Sequence, residues 1–158
     1  MISIEKGLRH MAWSNQRLFE ELASFPEEIY ELRSAEGEWS VGKITTHFIG
    51  SGEWYRYCTT GEKWQETIPI ESHEILKSQA TRLASLDASL LAQASLNDDI
   101  RTVEGDDGPF SVSRSLILHQ AIYHTAEHKG QLATILKIHG FHLDLDSKDH
   151  WSFNNANE

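Results

Sequence analysis

Apolar side chains recur along this chain at intervals of three and four residues, which is the spacing of one face of an α-helix. In the first such segment the face consists of Ile4, Leu8, Met11, Asn15, Leu18 and Leu22. Comparable faces recur in three later segments, and serine residues precede two of them in the N-cap position. The pattern therefore predicts four helices, at about residues 3–25, 40–60, 71–95 and 112–139.

The segment between the third and fourth predicted helices has a different pattern. Residues 100–103 favour a β-strand, residues 104–108 are typical of a turn, and a second short run follows at 109–112. We therefore predict a hairpin at about residues 99–112. The fold class is all-α, an up-and-down four-helix bundle with a short β-hairpin inserted before the last helix. Residues 1–158 form a single domain, and no element is predicted for the tail at 141–158.

Composition narrows the classes of function. The 14 Lys and Arg against 24 Asp and Glu give a net charge of −10 at pH 7, which argues against partners that are nucleic acids or anionic membranes. No apolar run approaches the roughly 18 residues of a membrane span, and the N-terminus lacks a signal-peptide pattern, so we expect a cytoplasmic protein. The single cysteine, Cys58, excludes an internal disulfide and is expected to be a small core residue.

Nine histidines are present, and two of them form the strongest local signal for chemistry. His124 and His128 lie one helical turn apart on the same face, where their Cβ atoms are about 6 Å apart. Two imidazoles at this spacing reach a single ion at about 2.1 Å each. In the zinc-protease motif a glutamate directly follows the first histidine. Thr125 occupies that position here, which excludes the protease interpretation.

A third ligand has to come from another helix, and His47 is the best candidate because it lies on the core-facing stripe of the second helix. Histidine pairs of this spacing are also common on solvated helix faces. The stripe that contains His124 and His128 is otherwise expected to face the core, however, and buried imidazoles without partners carry a desolvation penalty. A metal ion shared by the three histidines would remove that penalty. Three other histidines are weaker candidates: His10, His119 and His139.

Four further residues are candidates for supporting roles around this site. Gln131 lies about one turn beyond His128 and is expected to hydrogen bond a ligand or line the pocket. Asn15 either bonds a ligand histidine or a backbone group, and Glu127 either supports a ligand or is a surface charge. Gly130 lies inside a helix, where glycine costs about 1 kcal/mol relative to alanine. It therefore indicates either close helix contact or access for a ligand.

Residues 123–131 resemble the fourth-helix signature of the DinB-like (YfiT-type) metalloprotein superfamily, in which a histidine, three residues, a second histidine, a basic residue, glycine and glutamine follow one another. Residues 38–48 are similar to the start of that family's second helix, and residues 11–18 to its first-helix W-x-N-x-R-L pattern. The resemblance covers nearly the whole chain. Two departures are Lys129, where arginine is more usual, and Glu127, where another histidine often stands.

The resemblance implies that His47, His124 and His128 bind one divalent metal ion, zinc or nickel first, with iron or manganese as alternatives. It also implies a metal-dependent S-transferase that uses a low-molecular-weight thiol, such as bacillithiol, mycothiol or glutathione, together with a small-molecule substrate. A homodimer is expected on the same ground.

Two other functions stay open. Three protein ligands leave an open position on the ion, which activates either a thiol or a water molecule. A metal-dependent hydrolase is therefore one alternative. A non-catalytic, stress-related protein that binds metal or a small ligand is the other.

Overall fold

Four long helices make up most of the computed structural model, which describes residues 3–105 and 107–156. They are α1 (Ile4–Leu22), α2 (Val41–Thr60), α3 (His73–Gln93) and α4 (Arg114–Ile138). The predicted helices are confirmed, and their ends differ from the predicted positions by only a few residues. Residues 1, 2, 157 and 158 of the predicted domain lie outside the described residues.

A serine caps the N-terminus of each of these four helices. Its hydroxyl accepts a hydrogen bond from the backbone N–H three residues later, in the pairs Ser3–Lys6, Ser40–Lys43, Ser72–Ile75 and Ser113–Leu116. Such a cap satisfies one of the free N–H groups of the first turn and contributes about 1 kcal/mol. Ser40 therefore determines where α2 begins, and with it the position of His47 on the helix.

The predicted hairpin is confirmed, with strands β1 (Ile100–Gly105) and β2 (Gly108–Ser113) directly before α4. The strands are antiparallel, and Ile100 lies opposite Ser113. Asp106, in the predicted turn, lies outside the described residues. Val103 is the buried residue of β1, and it packs into the apolar core beneath the hairpin.

The main contacts between helices follow the ring order α1, α3, α2, α4 around the core. Helices α1 and α2, which are consecutive in sequence, therefore lie diagonally across the bundle, and so do α3 and α4. Each diagonal step needs a long connection. Residues 23–40, which contain a 3₁₀ turn at Glu27–Glu31, make the first step, and the hairpin segment makes the second. None of the described helices is long and apolar enough to cross a membrane.

Two loops pack closely against the first turn of α2 at Gly42. A Cβ atom at this position would lie 2.4 Å from the carbonyl oxygen of Ile70 and 3.1 Å from that of Tyr30. Both neighbours are backbone atoms, which cannot move aside as a flexible side chain would. Glycine is therefore required here, and the contact fixes the N-terminal end of α2 against the connections on both sides.

The tail contains a short helix, α5 (His150–Ala156), which the sequence pattern did not predict. It packs on α1, where the ring of His150 stacks on that of His10 at 3.7 Å and Phe153 packs against Trp13 at 5.5 Å. Lys148, just before α5, is buried and forms an ion pair with Glu21. These contacts hold the tail along the outside of the bundle.

The apolar core is divided into two clusters by a layer of polar side chains. One cluster contains Leu18 and Leu132, and the other contains Leu8 and Ile117. The polar layer lies between them along α1, α3 and α4. Its buried members outside the histidine group are Ser14, Asn15, Asp87 and Lys129.

Hydrogen bonds and opposite charges hold this polar layer together. The Asn15 side chain donates to a carboxylate oxygen of Asp87 at 2.9 Å, and Lys129 donates to the Ser14 hydroxyl at 2.7 Å. Burial raises the pKa of Asp87 to about 6, against the opposing effects of Asn15 and Lys129. Burial lowers the pKa of Lys129 to about 7, against the opposing charge of Asp87. The expectation that Asn15 bonds a ligand histidine or a backbone group is corrected, because its partner is Asp87.

Removing one charge of this layer is expected to lower the free energy of unfolding more than removing both charges. At pH 7, Lys129→Met should lower the free energy of unfolding of the metal-free protein by about 3–5 kcal/mol, since it leaves the Asp87 carboxylate buried without a counter-charge. The double variant Lys129→Met/Asp87→Asn should recover most of this loss. Urea unfolding of the three proteins measures both effects.

The same experiment has a defined pH dependence. The folded-state pKa of Asp87 is raised above its ordinary value, so the penalty for its charge is present above about pH 6 and disappears as the pH falls toward 4. The defect of Lys129→Met should therefore be smaller at pH 5 than at pH 7. A double variant as unstable as the single variant would contradict this account.

Candidate metal centre

Three imidazole rings from two helices meet at one point in the bundle. His47 lies on α2, and His124 and His128 lie on α4. The Nε2 atom of His124 is 3.1 Å from that of His47 and 3.0 Å from that of His128. One ion about 2.1 Å from each nitrogen spans separations close to these. The structure thus brings together the three histidines that the sequence singled out, and the group can hold a metal ion.

Gln131 determines which nitrogen of His128 carries the hydrogen. The Nδ1 atom of His128 lies 2.7 Å from the side-chain oxygen of Gln131, which only accepts hydrogen bonds. Nδ1 therefore carries the hydrogen, and in the neutral ring the Nε2 lone pair faces His124. This is the tautomer that a metal ligand needs, and the structure places Gln131 in the supporting position expected for it.

The three ring nitrogens cannot satisfy one another while the rings are neutral. Because His128 Nε2 is an acceptor, a hydrogen on His124 Nε2 has to serve both His128 and His47. Without that hydrogen, two lone pairs face each other at the His124–His128 contact of 3.0 Å. A bound cation would use all three lone pairs at once. The arrangement therefore fits a metal ion better than it fits a hydrogen-bonded cluster.

Burial keeps two of these imidazoles neutral. It lowers the pKa of His124 to about 4, with further contributions from His128 and His47. Burial also lowers the pKa of His47, with smaller effects from His128 and Lys43. Protons therefore compete little with a metal ion for His47 and His124 at neutral pH.

Aromatic side chains pack around the triad. The ring of Trp39 meets that of His47 edge-on at 5.0 Å and lies nearly parallel to that of His128 at 6.3 Å. Tyr55 packs edge-on against His124 at 5.8 Å. The sequence pattern does not assign Trp39 to the site, because this residue lies in a loop before α2, where no periodicity indicates the direction of its side chain.

A cavity of about 690 Å³ opens beside His128. Trp39, Ile44 and Ile135 form its apolar wall, and Glu127 lines it as well. Glu127 is exposed at this position. Of its two expected roles, the surface charge therefore fits the structure, and its carboxylate faces the cavity beside the triad.

Gly130 also lines this cavity. A Cβ atom at this position would meet no heavy atom within 4 Å. Close contact with another helix is therefore not the reason for a glycine here. Of the two predicted explanations, access for a ligand is the one compatible with the structure.

The three weaker histidine candidates have other partners. His10 contacts the carbonyl oxygen of Lys148 at 2.9 Å, His119 that of Ser115 at 2.8 Å, and His139 that of Arg33 at 2.8 Å. None of the three belongs to the group that can hold an ion among the described residues.

The fold and the site together define a helical-bundle protein of the metal-binding class, with its three histidines on the second and last long helices. The family model of the DinB family matches residues 1–143, and the chain belongs to this family. A comparison with curated proteins gave no match. The match ends before α5.

Removal of one imidazole should abolish tight metal binding. We expect the wild type to bind one zinc ion per chain and His124→Ala to bind it more than about 100-fold more weakly. Loss of a group that only orients a ligand already costs about 10- to 100-fold, which is the effect expected for Gln131→Ala. Competition with a chromogenic chelator measures each affinity. The matched control is His119→Ala, which removes an exposed histidine of the same helix. Tight one-to-one zinc binding by His124→Ala would contradict the assignment of His124 as a ligand.

Two of the helical glycines, Gly42 and Gly130, should respond in opposite ways to substitution by alanine. Gly130→Ala is expected to raise the free energy of unfolding of the metal-free protein by about 0.5–1 kcal/mol, because the methyl group meets no atom and alanine favours the helix. Gly42→Ala should destabilise the protein, since its Cβ would collide with backbone oxygens. Urea unfolding compares the two, and destabilisation by Gly130→Ala would indicate a packing role that the structure lacks.

Proposed function

We propose that this protein is a metal-dependent transferase that joins a low-molecular-weight thiol to an electrophilic small molecule. The observation that carries the proposal is the position of the three-imidazole group next to an open cavity of about 690 Å³. Cavities of about 300–1,000 Å³ are typical of small-molecule sites. Three protein ligands are also the number typical of catalytic rather than structural metal sites.

The residues of the site have separate tasks in this proposal. His47, His124 and His128 would hold the ion, and Gln131 keeps His128 in the tautomer that binds it. Zinc and nickel both suit imidazole ligands. When bound, such an ion lowers the pKa of a thiol that reaches its open position, so that the thiolate forms at neutral pH. The apolar wall of the cavity would bind the electrophile beside the triad.

The thiol has to come from a second substrate. Cys58 is the only cysteine of the chain, and it is buried in the apolar cluster beneath the hairpin, as expected from the sequence. Burial raises the pKa of its thiol to about 11, so it is not a nucleophile at neutral pH. In the proposed reaction the external sulfur forms a bond to the electrophilic carbon. The leaving group departs with its bonding electrons, and the thiol proton passes to solvent.

One observation favours hydrolysis as a second candidate. The exposed carboxylate of Glu127 lines the cavity next to His128. A carboxylate in that position is a possible general base for a water molecule. Hydrolysis would proceed without a thiol, which separates the two reactions experimentally.

Thiol dependence is the decisive test. We expect the zinc-loaded protein to accelerate thioether formation between 2-mercaptoethanol and a member of a panel of aryl chlorides, epoxides and alkyl halides by at least about tenfold, or 1.4 kcal/mol of barrier. Mass spectrometry of the product measures the rate. His124→Ala and the chelator-treated protein should both return to the uncatalysed rate. Cys58→Ala should keep the wild-type rate, because its thiol takes no part.

Two results would contradict the transferase. Zinc-dependent cleavage of esters or amides in the absence of thiol would indicate the hydrolase instead. Tight zinc binding without either reaction across both panels would indicate a protein that binds metal without catalysis.

A further inference from the structure

The cavity beside the triad carries charges of one sign. Glu38, in the loop before α2, and Glu127, on α4, both line it and are both exposed. Among the described residues that line the cavity, none is a lysine or an arginine. Neither carboxylate forms an ion pair with any part of the chain that the structure describes.

Two basic residues near this cavity have other contacts. The Lys43 ammonium lies over the ring of Trp39, 5.7 Å from its centre, and its charge also acts on His47. Arg33 donates to the backbone carbonyl oxygen of Glu38 at 3.0 Å rather than to its carboxylate. Both glutamates therefore line the cavity without an ion-pair partner among the described residues.

The influence of Glu127 also extends to the triad. Glu127 directly precedes His128 on α4, and both residues line the cavity. A ligand that reaches the triad would thus lie within the field of the Glu127 carboxylate.

This charge distribution has consequences for the thiol. A bound ion would attract the sulfur, but a carboxylate on the same small molecule would meet Glu38 and Glu127, in a protein with a net charge of −10. An ammonium group would instead find two unpaired carboxylates, and the negative potential would favour its approach. We propose that the cavity selects a positively charged thiol, an aminothiol, over thiols that carry carboxylates. This inference rests on the proposed function, and it names the class of cosubstrate.

The cavity also has room for the second reactant. A two-carbon aminothiol is small compared with a cavity of about 690 Å³. The wall formed by Trp39, Ile44 and Ile135 would remain for an apolar electrophile. The charged and apolar parts of the cavity thus match different substrates.

The test compares three thiols of similar size on the zinc-loaded full chain: cysteamine, 2-mercaptoethanol and 3-mercaptopropionate. Isothermal titration calorimetry gives the ratio of Kd for 3-mercaptopropionate to Kd for cysteamine. Part of this ratio reflects the different acidities of the free thiols, which no substitution in the protein alters. The decisive quantity is therefore the change in this ratio of Kd values from the wild type to a variant. We expect the ratio to fall about tenfold, equivalent to 1.4 kcal/mol, in the double variant Glu38→Gln/Glu127→Gln.

A matched control separates local from overall charge. Glu20→Gln/Glu74→Gln removes the same two charges from exposed positions on α1 and α3 that do not line this cavity. It should leave the ratio within about twofold of the wild type, because solvent screens distant surface charges. Zinc affinity, measured in parallel, should be similar in all three proteins.

The outcomes distinguish this inference from the proposed function. An unchanged ratio in Glu38→Gln/Glu127→Gln, or an equal change in the control, would overturn the preference for an aminothiol while leaving thiol binding in place. Failure of the zinc-loaded protein to bind any of the three thiols would overturn the proposed function, and this inference with it.

Discussion

The rest of the structure depends on a layer of polar side chains across the middle of the apolar core. Polar groups removed from water need partners inside the protein, or their burial costs several kcal/mol. On one side of the layer, Asn15 and Lys129 provide hydrogen bonds and opposite charge around Asp87. On the other side, the imidazoles of His124 and His128 face His47. In the first half the chain itself supplies a counter-charge and hydrogen bonds, and in the second half the three imidazoles form a group that can hold an ion.

This layer accounts for the arrangement of the helices. His128 and Lys129 are adjacent on α4, so their side chains point about 100° apart, into two different interfaces. Lys129 reaches Ser14 on α1, and the histidines of α4 reach His47 on α2. Helix α4 must therefore contact both α1 and α2, which places those two helices on opposite sides of it. The diagonal connections, including the hairpin before α4, follow from that requirement.

Local periodicity explains which features could be predicted from the sequence. The spacing of His124 and His128, the stripe that contains His47 and the position of Gln131 all follow from 3.6 residues per turn, and the structure brings these side chains together. The bond between Asn15 and Asp87 joins positions 72 residues apart. This bond depends on which helices become neighbours in the bundle. The apolar stripe of one helix could pack against the stripe of any other helix, so the sequence pattern does not identify the neighbours. Trp39 escaped prediction for a related reason, since the direction of a loop residue depends on tertiary packing.

The geometry of the triad predicts that metal binding would be coupled to folding. The bundle holds the Nε2 atom of His124 3.1 Å from that of His47 and 3.0 Å from that of His128, and the hydrogens of neutral rings cannot satisfy both contacts. The packing of Trp39 and Tyr55 against these rings opposes their separation. The unfolded chain does not hold the three rings together, so an ion that uses all three lone pairs would bind the folded state alone. A ligand that binds only the folded state stabilises it in proportion to the logarithm of its concentration over Kd, and the open position of such an ion would face the cavity.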